Sequence, residues 1–375
     1  MEYDITIEIC NKINKFIGER FFITGNFNDW VPDTLPLGTI PAHGETSRFV
    51  LERVKKSPLE FKITRGSWTT LTTDAKGKFQ LPYTLDLEKD SLIQVQIEGW
   101  RDTFPASTAS AQVHILNEAF YFPELDAYKK VWIYLPKDYH TSRIHYPVIY
   151  MHDGQHLFDE AVATGRKGPI EWEVDETIDA SANDAIVIAI AGAPDGQTRH
   201  TDYLVHPTAH FPEPFGRIYL KDIVQTLKPY VDKSYRTLPD RKNTAMAGSS
   251  LGGLLSIYAG LFYPDVFGSI GAFSPSIWID GGRLYQNFGD ILQQDGTNQY
   301  QGQNYYLYGG ALEDRITPNG TEVDMVRHIR RSANFLREIT RSGVEISINP
   351  EGGHGAWYWR QAFPLFHEWW HKNLL

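Results

Sequence analysis

Residues 1–105 alternate short apolar stretches with turn-forming residues, a pattern typical of β-strands. The strand-like segments are RFFITGNFNDW (20–30), SRFVLERV (47–54), LEFKITRGSW (59–68) and SLIQVQIEGW (91–100). Gly, Asn, Asp and Pro lie between them, and they show no helical periodicity. We therefore predict a small, antiparallel, immunoglobulin-like β-sandwich at 1–105, with linker-like composition at 103–112.

After residue 106, apolar runs suited to buried parallel strands alternate with helix-like segments. The runs are 147–153, 185–192, 243–248, 269–275 and 304–310. Between them, segment 215–235 has one apolar helix face, formed by Leu220, Ile223, Val224, Leu227 and Val231. Pro229 weakens the prediction for the last turn of that helix. The alternation predicts an α/β domain at 106–375, with helices on both faces of a mostly parallel sheet.

Length and charge narrow the classes of function. A chain of 375 residues suggests two domains, and a net charge of −10 without any basic run argues against nucleic acid or a membrane as partner. No apolar run approaches the ~18 residues of a membrane-spanning helix. The N-terminus lacks the layout of a signal peptide, so we expect a cytoplasmic protein, or a periplasmic or secreted one if the N-terminus was trimmed. Cys10 is the single cysteine, which excludes an internal disulfide. Oligomeric state is not predictable from these features.

Two adjacent serines lie between glycines where an apolar strand gives way to an apolar helix. The pentad Gly248-Ser249-Ser250-Leu251-Gly252 fits G-x-S-x-G, the nucleophile elbow, with Ser250 at the centre. Glycine is needed there because side chains two positions from the serine would clash in the tight turn. The alternative is a glycine-rich turn with an idle serine.

A serine needs a base, and in elbow hydrolases an acid and then a histidine follow it along the chain. His354 follows the strand-like 344–350 in a glycine-flanked loop, as expected for the base. Glu313 and Asp314 lie side by side after the run 304–310; Glu313 is the preferred acid and Asp314 the alternative.

The oxyanion of an acyl-transfer reaction needs two backbone donors. One predicted donor is the amide of Leu251, and the other is the amide of Gly154 or Gln155 after the run 147–153. In the same loop His152 and His156 are four residues apart, like a zinc pair. Gly154 makes this segment a turn, so the two histidines would not share a helix face, and we expect no metal or cofactor.

Five segments after residue 115 carry a family resemblance. They are VWIYLPKDY, YPVIYMHDGQHLFDE, YVDKSYRTLPDRKNTAMAGSSLGGLLSIYAGLFYPDVFGSIGAFSPSIW, YLYGGALED and GGHGAWYW. They resemble an esterase family of α/β-hydrolases that includes S-formylglutathione hydrolases, feruloyl and acetylxylan esterases, enterochelin-type esterases and mycolyltransferases. The resemblance implies an α/β-hydrolase fold and a triad of Ser250, Glu313 and His354. The acid segment Gly310-Ala311-Leu312-Glu313-Asp314 departs from the family's usual Gly-Thr-x-Asp/Glu.

The N-terminal part resembles starch- and glycogen-binding modules through FFITGNFNDWVPDTLPL and LEFKITRGSW. In such modules exposed tryptophans stack on sugar rings, which makes Trp30 and Trp68 carbohydrate-binding candidates. The alternative is that both are core residues of the sandwich.

Further residues near the predicted strand ends are candidates for substrate binding. Arg199 and Tyr203 follow the run 185–192, and their alternative is an ordinary surface loop. The remaining candidates are Trp172, Trp278 and Trp357, which either line the pocket or pack.

These features together predict a serine carboxylic-ester hydrolase that works through an acyl-enzyme on a small-molecule or saccharide ester, of acetyl or feruloyl type. The alternatives are a siderophore esterase, an acyltransferase that uses the same residues, and a non-catalytic carbohydrate-binding protein on a hydrolase scaffold.

Overall fold

The computed structural model describes residues 2–55, 58–88, 91–165, 167–279, 281–293, 297–317, 320–341 and 343–374. It divides into two compact units. Unit 1 is Met1–Thr108 with Glu160–Ile170, and unit 2 is Ala109–Asp159 with Glu171–Leu375. The boundary predicted after residue 105 lies close to the first division, but nothing in the sequence indicated that 160–170 joins unit 1. Among the described residues, no helix has both the length and the apolar character needed to cross a membrane.

Unit 1 is built from short β-strands. They are β1 (Tyr3–Asn11), β2 (Arg20–Gly25), β3 (Pro36–Thr39), β4 (Thr46–Val54), β5 (Leu59–Thr64), β6 (Thr72–Thr73), β7 (Tyr83–Leu85), β8 (Leu92–Ile97) and β9 (Gly99–Trp100). One sheet has the order β4-β1-β8, a second has the order β3-β2-β5-β7, and β6 pairs with β9. Turns of 3₁₀ helix lie at Trp68–Thr70 and Arg101–Thr103.

Alternating apolar side chains form the core of unit 1. Ile5, Ile7 and Ile9 of β1 are buried, and they join Phe61 and Ile63 of β5 in one cluster. The sequence predicts a buried or half-buried strand residue at Cys10 but gives no bounds for a strand there; Cys10 is half-buried in β1. The pairing of β1 with β8 is parallel, whereas the other strand pairs of these two sheets are antiparallel, as predicted.

The second segment of unit 1 is held by charged side chains. Glu160 is buried; its Oε1 accepts from the Phe79 amide at 3.4 Å, and its Oε2 lies 3.6 Å from Nε of Arg101. Lys167 pairs with Glu60, with 2.7 Å between Nζ and Oε2. These contacts connect the segment to residues of unit 1 that lie far from it in sequence.

Unit 2 is a sheet with helices on both faces. Its sheet has the order β10 (Val113–Phe122), β11 (Ala127–Tyr134), β13 (Ile186–Ile190), β12 (Val148–His152), β14 (Thr244–Ser249), β15 (Ser269–Phe273), β16 (Asn304–Gly310) and β19 (Val344–Asn349). The first two pairings are antiparallel and the rest are parallel. A small hairpin joins β17 (Arg315–Ile316) to β18 (Glu322–Val323). This is the predicted α/β-hydrolase architecture.

The helices of unit 2 are α1 (Val174–Ala180), α2 (Gly196–Tyr203), α3 (Gly216–Asp222), α4 (Lys228–Ser234), α5 (Leu251–Phe262), α6 (Arg283–Gln293), α7 (Met325–Thr340) and α8 (Ala356–Leu374), with 3₁₀ turns at Gly154–His156, Arg241–Asn243 and Thr297–Tyr300. Apolar residues of α1 and α8 pack on one sheet face, and those of α2 to α7 pack on the other. The predicted helix 215–235 is divided by a π-helical turn at Ile223–Leu227. Pro229 has no N–H to donate four residues back, which explains this division.

Candidate active site

Ser250 lies in a strained turn between β14 and α5. Its backbone has φ 56° and ψ −118°, a conformation that non-glycine residues rarely adopt. A Cβ on Gly248 would lie 2.8 Å from the Gly252 carbonyl carbon and 2.9 Å from the His152 ring, so only glycine fits at that position. The local sequence therefore forces the serine into an elbow.

A chain of hydrogen-bonding side chains leads away from this serine. Oγ of Ser250 lies 3.1 Å from Nε2 of His354, in the loop between β19 and α8. Nδ1 of the same ring lies 2.7 Å from Oε2 of Glu313, which follows β16. The His354 side chain is 28% exposed, so the base can be reached from solvent. The arrangement suits proton transfer from the serine to the histidine.

The two candidate acids have different environments. Glu313 is buried, and its second oxygen, Oε1, accepts from Ser274 Oγ at 2.6 Å and from the Gly310 amide at 2.7 Å. Asp314 is exposed, and its carboxylate accepts from the amide of Met325 at the start of α7. The geometry thus joins Glu313 to the histidine, and Asp314 to a helix terminus.

Two serines at this site were not predicted, and they lie with Trp359, which the sequence suggests, like Trp357, as a residue that lines the pocket or packs. Ser276 Oγ lies 3.1 Å from Ser250 Oγ, and the Ser276 amide donates to the Ser250 carbonyl. Ser274 receives a hydrogen bond from Nε1 of Trp359 at 2.9 Å while donating to Glu313. The serines follow β15, directly beside β14, so their place at the end of an apolar run was the only sequence signal.

The loop after β12 holds the predicted oxyanion donors. Asp153 adopts φ 57°, and Gly154 begins a 3₁₀ turn. A Cβ on Gly154 would lie 2.8 Å from the carbonyl carbon of Ala189, so the backbone packs directly on β13. Gln155 Oε1 accepts from the Gly192 amide at 3.0 Å. Because β12 and β14 are parallel neighbours, this loop and Leu251, whose amide begins α5, lie at the same sheet edge.

Arg199 and Tyr203, predicted as substrate contacts, instead bind this loop. Arg199 makes a two-point ion pair with Asp153, at 2.7 Å for both Nε–Oδ1 and Nη2–Oδ2. Burial raises the pKa of Asp153, but the charge of Arg199 and its hydrogen bonds outweigh burial and leave that pKa lowered. Tyr203 is fully buried, and its hydroxyl lies 3.2 Å from Asp153 Oδ1. Both side chains therefore fix the backbone that precedes Gly154.

In this loop His152 is buried and His156 is half-buried, and burial disfavours the charged form of both rings. Burial lowers the pKa of His152 to about 4, and burial also lowers the pKa of His156. Among the residues that the structure describes, the group with metal-ligand spacing is Glu171, Asp175 and Glu176, and it contains neither histidine. Burial, followed by the charge of Glu176, raises the pKa of Asp175, which favours a shared proton between those two carboxyls.

The three tryptophans predicted as substrate-binding candidates lie in different surroundings. Trp172 is 2% exposed and packs against Phe273 and Trp359, so it is a core residue. Trp357 lies under the guanidinium of Arg360, 4.3 Å from the ring centroid. Trp278 is half-buried and lines a cavity of about 580 Å³.

Trp30 and Trp68 lie within unit 1, against its second segment. Trp30 is 5% exposed, with Nζ of Lys167 5.9 Å from its ring centroid. A Cβ on Gly168 would lie 3.2 Å from the ring of Trp68. Trp30 is thus a core residue and offers no open stacking platform, whereas Trp68 is half-buried beside Gly168.

Comparison with known proteins places the fold and the family. The family described as "Putative esterase" matches residues 123–369. The uncharacterized protein YbbA of Bacillus subtilis (strain 168) is 28% identical over 249 residues, which is 64% of this chain and 92% of YbbA. The structure resembles the enterobactin esterase FES of Shigella flexneri, solved in the presence of 2,3-dihydroxy-N-benzoylglycine, with TM-score 0.52 and 15% identity over 99% of this chain and 94% of that one. It also resembles a ferulic acid esterase, with TM-score 0.53 and 17% identity over 70% of this chain and 99% of that one.

Proposed function

The chain belongs to this esterase family and is a carboxylic ester hydrolase, and from that premise we propose that Ser250 is the nucleophile, His354 the general base and Glu313 the acid that orients it. The observation that carries the proposal is the unbroken hydrogen-bond chain from Glu313 through His354 to Ser250. Asp314, the alternative acid, lacks a contact with the histidine among the described interactions and is not part of the proposal.

In the first step, Ser250 Oγ attacks the ester carbonyl carbon while Nε2 of His354 takes its proton. This requires the other ring proton to be on Nδ1, where Oε2 of Glu313 accepts it. The two donors on Oε1 keep the Glu313 carboxylate in place, and its negative charge stabilises the imidazolium as it forms.

The tetrahedral intermediate carries its negative charge on the former carbonyl oxygen. We assign the stabilising donors to the amide of Leu251 and to the amide of Gly154 or Gln155. The first amides of a helix have no acceptor within it, so Leu251 can donate to a ligand, and the positive end of the α5 dipole favours an anion there. Asp153, held by Arg199, sets the backbone of the second donor.

Collapse of the intermediate breaks the bond to the alcohol, which leaves with the proton from His354. The acyl group stays on Ser250 as an ester. Water then attacks that ester, His354 takes a proton from the water, and the carboxylic acid is released as Ser250 regains its hydrogen. The reaction consumes one water for each ester and requires no group beyond the chain itself.

Two substrate classes have different support. A saccharide ester was expected in part from the sugar-binding resemblance around Trp30 and Trp68, but Trp30 is buried and Trp68 is half-buried. Likeness to the enterobactin esterase extends along 99% of the chain, whereas likeness to the ferulic acid esterase extends along 70%. We therefore favour a siderophore-type ester, and a feruloyl-type saccharide ester is the second candidate.

The test compares hydrolysis of p-nitrophenyl acetate and butyrate by the intact protein with hydrolysis by Ser250→Ala and His354→Ala. We expect each variant to lose about 10³-fold or more in kcat. Ser249→Ala is the matched control, since it removes the neighbouring hydroxyl, on the last residue of β14. A fluorophosphonate should add its mass to the wild type and to Ser249→Ala, but not to Ser250→Ala. Turnover by Ser250→Ala equal to that of the wild type would reject the proposal.

A further inference from the structure

Two residues beside the proposed catalytic groups meet in space although they are distant in sequence. Trp278 follows by two positions Ser276, the serine whose Oγ contacts Ser250. Arg315 follows by two positions Glu313, the residue that contacts His354. The Cζ atom of Arg315 lies 4.9 Å from the ring centroid of Trp278. The pair therefore lies after two neighbouring strands, β15 and β16, whose ends also carry Ser276 and Glu313.

The Arg315 side chain is held by one backbone hydrogen bond, and its positive charge lacks a carboxylate partner among the described residues. Its Nη1 donates to the Glu313 carbonyl oxygen at 3.0 Å, and the residue is exposed. No carboxylate of the described residues lies within ion-pair distance of it. Asp314 accepts from the Met325 amide, and Asp324 caps α7 and pairs with Arg327. The guanidinium thus has a fixed position and no anionic partner in the described part of the chain.

The cavity next to Trp278 has the size and lining of a binding site for a small organic group. Its volume is about 580 Å³, within the range usual for ligand pockets. The lining is mostly apolar, with side chains from the segment 207–211, Trp278, Ile279 and two threonines of the β17–β18 hairpin. Such a cavity can accept an aromatic or aliphatic group of the substrate. Arg315 lies against the ring of Trp278, which forms one wall of the cavity.

The aromatic wall continues through His328 and Tyr285 to a second arginine, Arg331. The His328 ring is 6.1 Å from that of Trp278 and stacks on Tyr285, at 6.2 Å and 8° between planes. On Tyr285 lies Arg331, with Cζ 3.9 Å from the ring centroid. Two arginines, Arg315 and Arg331, thus lie along this wall in a chain whose net charge is −10, and their charge attracts anions.

We propose that Trp278 and Arg315 form a specificity subsite for esters that carry an anionic group on an apolar or aromatic body. The body enters the cavity beside Trp278, and its carboxylate or phenolate-type oxygen accepts from Arg315. The inference rests on the proposed function, because it assigns a substrate charge to the same site. The anionic group belongs either to the acyl part or to the alcohol part.

The test uses two pairs of esters, each with an anionic member and a neutral member of similar shape. For the acyl part, p-nitrophenyl hemiadipate is compared with p-nitrophenyl hexanoate, in which a methyl replaces the carboxylate. For the alcohol part, p-acetoxybenzoate is compared with its methyl ester. The readout is the ratio of kcat/KM for the anionic ester to kcat/KM for the neutral one, measured for the wild type, Arg315→Gln and Arg315→Lys.

In one of the two pairs, we expect Arg315→Gln to lower this ratio about 5- to 10-fold and Arg315→Lys to lower it about 2-fold, since lysine keeps the charge but loses the planar fork. Added salt should lower the wild-type ratio in the same pair. Arg327→Gln, which removes an exposed arginine already paired with Asp324, is the matched control and should leave the ratio unchanged.

The outcomes separate the two claims. A fall in the ratio supports the subsite and says which part of the ester it binds. If Arg315→Gln lowers kcat/KM equally for both members of each pair, the arginine acts only through Glu313. The subsite is then rejected, while the proposed esterase function is unaffected. A wild type that hydrolyses none of the four esters, and takes up no fluorophosphonate on Ser250, overturns the proposed function and the subsite with it.

Discussion

Replacing Glu313 with glutamine changes one atom and tests the proton arrangement at the site. Oε1 accepts from the Gly310 amide, a backbone donor that cannot turn away, and from Ser274. A glutamine must therefore keep its carbonyl oxygen at that position, which turns its NH₂ toward Nδ1 of His354. Nδ1 then has to accept, so the ring proton moves to Nε2 and faces the oxygen of Ser250.

The size of the effect follows from this change of tautomer. A histidine protonated on Nε2 cannot take the serine proton, and the corresponding Asp-to-Asn change in a serine protease lowers kcat about 10⁴-fold. Glu313→Gln should therefore lose about 10³- to 10⁴-fold in kcat, or about 4 to 5.5 kcal/mol of transition-state stabilisation. KM should change little, because glutamine keeps the shape of the buried side chain.

The assay is hydrolysis of p-nitrophenyl butyrate over pH 5 to 9, with Asp314→Asn as the matched control. Asp314 is exposed and contacts only the Met325 amide among the described interactions, so its variant should keep kcat within about 3-fold. Thermal unfolding of both variants shows whether any loss comes from folding. Near wild-type kcat in Glu313→Gln, together with a large loss in Asp314→Asn, would refute the assignment of the acid.

Three other predictions follow from buried contacts. Asp153→Asn should lower kcat about 10-fold or more and lower Tm, because it leaves the charge of Arg199 without its partner beside the oxyanion loop; an increase in KM alone would mean that Arg199 contacts substrate. Gly154→Ala should lower kcat about 100-fold, since its Cβ would meet backbone atoms of β13, and wild-type kinetics would contradict this packing. Burial lowers the pKa of His152 to about 4 and of His367 to about 3, so between these values and ~6.5 the unfolded chain binds more protons than the folded one. The free energy of unfolding should be highest above pH 7 and lower by about 2 kcal/mol per histidine at pH 5. Urea unfolding at pH 7.5 and at pH 5 measures this difference.

The sequence was most informative where one residue type is required at a turn. Glycines around Ser250 and His354, and a pair of acids after an apolar run, pointed to the loops that the structure joins by hydrogen bonds. Ser274 and Ser276 were not predicted, because their contacts depend on β15 lying next to β14. Local sequence patterns do not indicate the order of strands in a sheet. Arg199 was predicted as a substrate contact, whereas the structure pairs it with Asp153. That pairing depends on how the folded sheet brings two distant loops together, so the sequence did not indicate it.

The assignment of residues 160–170 to unit 1 has a consequence for synthesis of the chain. When the ribosome has added residue 108, Arg101 still lacks Glu160, and Glu60 still lacks Lys167. The missing stretch ends 62 residues later (170 − 108 = 62), which takes roughly 3 to 12 s at bacterial and eukaryotic elongation rates. During that interval the first strands of unit 2, β10 and β11, also leave the ribosome. The two units therefore mature in overlapping periods, and a gene shortened to the first 108 codons encodes an unfinished sandwich.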